Sequence, residues 1–236
     1  MTLAQGSTER FEIAVEHPRV AAVGARIDRP SGATREAAIL LAHGSGVDME
    51  HPWMELAALA LVSHGFAVLR FRYGYMQRAQ DLGRVQPPDR APTLEAVHEL
   101  ALAELRRRLE PRRVLLAGKS MGARMATHLA AKGAAAHGLV LYGYPLHPPG
   151  KPESERSEHF AMCVQPALFL HGTRDEFGTP NELRSALRRY AGRATLHVIE
   201  GGDHSLERPK ASGQTLEAVL QLTAAEVDRW ERETWP

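Results

Sequence analysis

Three side chains in this sequence have the types needed to turn a hydroxyl against a carbonyl carbon: Ser120, Asp175 and His204. Ser120 is the centre of Gly118-Lys119-Ser120-Met121-Gly122. It follows the apolar run Val114 to Ala117 and precedes a helix-like stretch, Ala123 to Lys132. A buried strand that reverses sharply into a helix holds one residue at its tip in a strained conformation. Glycines two residues either side remove the Cβ atoms that would clash where helix and strand cross. A serine hydroxyl is a poor nucleophile at neutral pH. It needs a base within hydrogen-bond reach, and the base needs an acid to fix its tautomer and stabilise the imidazolium. His204, in the loop Gly201-Gly202-Asp203-His204, is the base. Asp175, in His171-Gly172-Thr173-Arg174-Asp175, is the acid, with Glu176 as the neighbouring rival. Asp203 directly precedes His204, so its side chain should diverge, and it reads as a turn residue. The oxyanion of a tetrahedral intermediate needs donors too. The Met121 N–H is one. The second comes from the loop His43-Gly44-Ser45-Gly46, with the Ser45 N–H favoured and Gly46 as the alternative.

Other candidates read as structural. His43 and His171 brace loops, and His51 packs at a helix start beside Pro52. Gly118-Lys119-Ser120 imitates the tail of a phosphate-binding loop. That motif requires a glycine where Arg113 stands, and Val114 to Ala117 is strand-like rather than an anion cradle. The role of Lys119 is left open. The twelve histidines and one cysteine never form His-x-x-x-His or Cys-x-x-Cys spacing, so neither a metal nor a cofactor is expected. Cys163 has no elbow around it and reads as a small buried residue.

The elements that must position these groups follow from periodicity. Arg10 to His17 and Val20 to Ile27 read as two strands of an antiparallel edge joined by a His-Pro turn. Ala37 to Ala42, Phe66 to Phe71, Arg113 to Ala117, Gly138 to Tyr142, Ala167 to Leu170 and Ala194 to Ile199 read as six more strands. Helices are expected from Pro52 to just before Gly65, over Leu94 to Leu109, after Ser120, from the capping box Thr179-Pro180-Asn181-Glu182 to about Tyr190, and over Leu216 to Trp230. Arg72 to Pro92 reads as a long polar loop. Gly143 to Pro166 reads as a small lid-like insertion with a short helix around Glu155 to Met162, within a single domain spanning 1–236. Strands alternating with helices predict an α/β fold: a mostly parallel sheet of about eight strands with helices on both faces, and ligands gathered at the carboxyl ends of the strands.

Composition narrows the partners. The 236 residues are 44% hydrophobic, enough for a substantial core without disulfides or metals. A net charge of +1 from 29 basic and 28 acidic residues provides no global attraction to nucleic acid or an anionic membrane. Arg106-Arg107-Arg108 reads as a solvated helix face. One cysteine suits a reducing compartment, Met1 to Arg10 is polar, and no apolar run approaches the roughly 18 residues of a membrane span. A cytoplasmic protein acting on a small molecule is expected, with its oligomeric state unassigned.

With these residues placed, the chain resembles an α/β-hydrolase from about Phe11 to Trp230. More narrowly it resembles a small bacterial group of predicted α/β-fold hydrolases, similar to dienelactone hydrolases and the testis-expressed thirty protein. The resemblance rests on His43-Gly44-Ser45-Gly46, His51-Pro52-Trp53-Met54, Gly118 to Gly122, Tyr144 to Pro152, Gly172 to Asp175 and Asp203-His204-Ser205. It implies the α/β-hydrolase fold and a Ser120, Asp175, His204 triad. Dienelactone hydrolases carry cysteine at the nucleophile where this chain has Ser120, so their substrate is not carried over. The expected activity is serine hydrolysis of a small acyl compound, most simply a carboxylic ester. The alternatives are a catalytically idle fold used for binding or scaffolding, and amide, thioester or carbon–carbon hydrolysis by the same triad.

Overall fold

The sheet is built outward from one strand that is apolar at every position. In the computed structural model, which describes residues 6–236, the strands are Thr8–His17 (β1), Val20–Asp28 (β2), Ala37–Ala42 (β3), Ala67–Phe71 (β4), Arg113–Lys119 (β5), Gly138–Tyr142 (β6), Ala167–Gly172 (β7) and Ala194–Ile199 (β8). The first five residues of the polar Met1 to Arg10 segment lie outside the described residues. The strand order is β1-β2-β4-β3-β5-β6-β7-β8. β2 runs antiparallel to both β1 and β4, and all the other pairings are parallel. The expected antiparallel edge and eight strands are therefore present.

The helices are Pro52–Ser63 (α1), Gly74–Leu82 (α2), Ala91–Leu109 (α3), Met121–Ala131 (α4), Pro180–Leu187 (α5) and Leu216–Thr234 (α6). Side chains alternate across a strand, so β3 feeds two cores. Ala38, Leu40 and Ala42 join the core under α3, α4 and α5. Ala37, Ile39 and Leu41 join the core under α1 and α6, with Trp53, Val219 and Trp230. Full burial of each of Ile39, Leu40 and Leu41 contributes about 1.5–3 kcal/mol. The central strands are thus a rigid base for the loops at their carboxyl ends.

The segment Arg72 to Pro92 departs from expectation: it is not all loop, because α2 occupies its first half. Within α2 only Gly74 and Tyr75 are buried, so no apolar stripe marks it in sequence. Gly83 ends it in the left-handed region at φ 61°, its N–H closing onto the Ala79 and Gln80 carbonyls. α5 is shorter than expected, ending at Leu187. Its capping box is present, with Thr179 Oγ1 accepting from the Glu182 N–H at 3.3 Å and Glu182 Oε2 accepting from the Thr179 N–H at 2.7 Å. The β6–β7 connection contains a 3₁₀ turn, Glu158–Met162, whose Phe160 is wholly buried in the first core. Among the described residues no helix is long and apolar enough to cross a membrane.

Candidate active site

β5 delivers Ser120 to the carboxyl edge of the sheet, and α4 leaves from it. Ser120 has φ 52° and ψ −114°, a conformation that L residues rarely adopt. Such strain costs on the order of 1–3 kcal/mol and persists only where the surroundings enforce it. Here the enforcement is steric. A Cβ on Gly118 would lie 2.3 Å from the Gly122 carbonyl carbon, and one on Gly122 would lie 2.3 Å from the Ala42 carbonyl oxygen. Strand and helix cross too closely for any side chain at either position. Gly118→Val is accordingly expected to destabilise the fold by about 1–3 kcal/mol or more, read as a lowered urea midpoint. An unchanged midpoint would mean the crossing is looser than drawn.

The loop after β8 brings His204 to the serine. His204 Nε2 lies 2.8 Å from Ser120 Oγ. Trp53, on α1 and 2% exposed, donates its indole N–H to the Ser205 carbonyl at 2.8 Å and so pins this loop. Asp203 is the turn residue expected of it: its Oδ1 accepts from the Ser205 and Glu207 amides at 2.8 and 3.0 Å. The loop after β7 supplies Asp175, 3% exposed, with both carboxylate oxygens 2.9 Å from His204 Nδ1. Asp175 Oδ1 also accepts from the Phe177 N–H at 2.9 Å. The Phe177 ring lies on the His204 imidazole, with centroids 4.1 Å apart. Glu176 is exposed and touches none of this. Ser120, Asp175 and His204 are thus brought together, in the order and contacts that proton transfer away from a serine requires.

The bracing histidines do what their positions suggested. His43 Nδ1–H donates to the Gly44 carbonyl at 2.8 Å, and its Nε2 accepts from the Tyr73 amide at 3.0 Å. Burial pushes its pKa down to about 4, so it stays neutral and holds the Gly44–Ser45 turn over the serine. His171 Nε2 meets the Gly178 carbonyl at 2.7 Å, and burial lowers its pKa. His51 caps α1, with Nδ1 accepting from the Trp53 amide. Lys119, whose role the sequence left open, is buried with Nζ 5.5 Å from the Trp53 ring centroid. Burial lowers its pKa against the opposing charges of Asp175, Asp203 and Glu207.

Beside the serine lies a cavity of about 580 Å³ lined by Ser45, Met121, Arg124, Arg156, Phe177 and His204 among others. Gly46 lines a neighbouring depression instead. Among the described residues no acceptor meets the Met121 or Ser45 amide. Sequence reasoning passed over Trp53, Phe177, Arg124 and Arg156. Trp53 stood in a motif without a role, Arg124 lay four residues past Ser120 among other helix residues, and Phe177 and Arg156 have no spacing that links them to Ser120.

Cys163, the only thiol, is far from being a rival nucleophile. It is wholly buried and points at the Thr127 carbonyl, 3.4 Å away, and burial pushes its pKa up to about 12. In the folded protein at pH 8, 5,5′-dithiobis(2-nitrobenzoate) should titrate no thiol, and one equivalent should appear on addition of guanidinium. Rapid reaction of the native protein would contradict this placement.

A family model described as an alpha/beta hydrolase domain matches residues 35–232. Among solved structures, the chain is similar to an alpha-beta serine hydrolase homologue from Coxiella burnetii, with a TM-score of 0.73, 18% identity and coverage of 92% of this chain and 96% of that one. A serine hydrolase without lid from Xanthomonas campestris matches with a TM-score of 0.70 and 19% identity over 98% of both chains. A dienelactone hydrolase from Anabaena variabilis matches with a TM-score of 0.71 and 22% identity over 94% of this chain and 97% of that one. At these identities the structural likenesses establish the fold. With the family match across most of the chain, they make this protein a member of the alpha/beta hydrolase family.

Proposed function

We propose that this protein is a serine hydrolase acting on a small acyl substrate, most simply a carboxylic ester, through Ser120, His204 and Asp175. The observation that carries this reading is the unbroken chain of contacts from Ser120 Oγ through His204 to the buried Asp175 carboxylate, at 2.8 and 2.9 Å. His204 Nε2 takes the Ser120 proton as Oγ attacks the carbonyl carbon. Asp175 accepts from Nδ1–H throughout and stabilises the imidazolium that forms. The Met121 and Ser45 amides, both on the cavity wall, receive the oxyanion. One such donor is typically worth about 3 kcal/mol to the transition state. His204 then returns its proton to the leaving group, and an acyl-enzyme remains on Ser120. Water, deprotonated by the same histidine, hydrolyses it.

The domain reading extends the same way. Gly143 to Pro166, within the single 1–236 domain, acts as a short cover on the cavity, contributing Pro145 and Arg156 to its wall. Its firm attachment through Phe160 favours a site open to small molecules without a large lid movement. A panel of matched short-chain esters, thioesters and anilides tests the reading. Turnover of the p-nitrophenyl esters is expected, and no hydrolysis of any member would sink it.

A further inference from the structure

The wall of the Ser120 cavity carries more positive charge than the triad uses. Arg124 lies one turn along α4 from Ser120, its amide donating to the Ser120 carbonyl at 3.0 Å. Helix side chains lean toward the N-terminus of their helix, so the Arg124 side chain extends back toward the serine. Arg156 lines the same cavity from the β6–β7 connection. Its backbone is fixed on both sides: its amide donates to the Leu146 carbonyl at 2.7 Å, and its carbonyl accepts from the Tyr144 hydroxyl at 2.7 Å. Tyr144 itself is wholly buried. The position of Arg156 is therefore built into the core rather than left to a surface loop.

Neither guanidinium meets a carboxylate among the described residues. Among the described residues no acidic side chain forms an ion pair with Arg124 or Arg156, whereas Arg70, Arg72 and Arg113 each have one or two. Arg124 Nε is buried with no hydrogen-bond partner among the described residues. Burial, and after it the charge of Arg124, holds Arg156 below the ordinary guanidinium range, which places the two cations within each other's field. The acid on the cavity wall, Asp89, is already engaged, accepting from His17 Nε2 at 3.0 Å and the Tyr75 amide at 2.9 Å. Lys119 also lines the wall, but Asp175, Asp203 and Glu207 already oppose its charge, which leaves the excess on the two arginines. Like charges held together in a partly buried cavity cost free energy, and an anion between them offsets that cost. The chain's net charge is only +1, so this excess is local to the cavity.

We propose that Arg124 and Arg156 form an anion subsite beside Ser120, and that the substrate is an acyl compound carrying a carboxylate or phosphate a short chain away from the scissile carbonyl. The subsite stands on the unpaired guanidiniums; its place in hydrolysis rests on the serine-hydrolase reading. Ser120 and Arg124 sit one backbone hydrogen bond apart and border the same cavity, so a short acyl chain joins the scissile carbonyl to the anion. Planar guanidinium forks suit either anion.

Calorimetric titration of the wild-type protein with glutarate, 4-phosphonobutanoate and pentanoate separates the charge from the chain. One or both dianions should bind at least about tenfold more tightly than pentanoate, and the tighter of the two identifies the group recognised. The preference should fall toward one in Arg124→Gln and Arg156→Gln and survive in part in Arg156→Lys, which keeps the charge. Equal binding of all three acids, or a preference unmoved by both glutamine variants, overturns the subsite. The p-nitrophenyl hemiester of glutarate should then exceed p-nitrophenyl pentanoate in kcat/KM by a similar factor. Preferential dianion binding without turnover of either ester would leave the subsite standing and remove the hydrolase reading. Equal binding with brisk ester turnover would do the reverse.

Discussion

Ser120→Ala is expected to lose about 10⁶-fold in kcat on short p-nitrophenyl esters with little change in KM. The loss falls on kcat because the serine oxygen makes its bond to carbon only on the way to the transition state, while the ground-state complex is held by the cavity wall. Alanine removes the nucleophile and leaves the rest of the site assembled. His204 stays tied to Asp175 at 2.9 Å, and its loop stays pinned by the Trp53 indole on the Ser205 carbonyl. The Met121 and Ser45 amides, proposed to hold the oxyanion, belong to the backbone and survive the substitution. Residual catalysis of about 10³–10⁴-fold over water is therefore expected from those donors and from binding. Steady-state kinetics on acetate and butyrate esters read both quantities. A variant retaining a tenth of wild-type kcat would place the nucleophile elsewhere.

Asp175→Asn is expected to lower kcat by about 10⁴-fold, and the reason is a tautomer rather than a missing contact. Asp175 Oδ1 already accepts from the Phe177 amide at 2.9 Å, so an asparagine carbonyl oxygen is held at that position. Its NH₂ then takes the Oδ2 place, 2.9 Å from His204 Nδ1, where a second donor opposes the Nδ1 proton and favours the tautomer in which Nδ1 accepts. The imidazole proton moves to Nε2, where it points at Ser120 Oγ, 2.8 Å away, and the base can no longer take the serine proton. Kinetics with a circular dichroism control check this. A fall of only a few-fold, in a protein that still folds, would mean Asp175 is not the group orienting His204. Glu176→Gln, on an exposed side chain, is the companion control and should leave the rate near wild type.

These two residues also mark how far the sequence could be read. Ser120 was legible because its geometry is written in local composition: an apolar strand, then glycines at both positions where a Cβ would meet backbone. His204 followed from the loop after the final strand. Asp175 reads as the acid with Glu176 as its rival; what separates the two is the turn of the β7 loop, which brings Asp175 to His204 and leaves Glu176 exposed. β3 and β6 were readable to the residue because both faces are buried, and buried strands are unbroken apolar runs. α2 left no such trace, since only Gly74 and Tyr75 are buried and Met76 and Gln77 dock half-buried, too few apolar positions to draw a stripe. The Arg124 and Arg156 pair was unreadable for another reason. That a cation lacks a partner depends on every acid in three dimensions, and a balanced composition conceals a local excess.

Treatment of the native protein with a fluorophosphonate probe, followed by mass spectrometric mapping of the adduct, tests the central claim most directly. An activated serine gives its proton to the base, attacks phosphorus, expels fluoride and keeps the phosphonyl group; an unactivated hydroxyl does not react on the same timescale. One adduct per chain, on the peptide containing Ser120, abolished in Ser120→Ala and greatly slowed in Asp175→Asn, is the predicted result. A folded protein that takes up no label, or carries it on any other residue, would contradict the account.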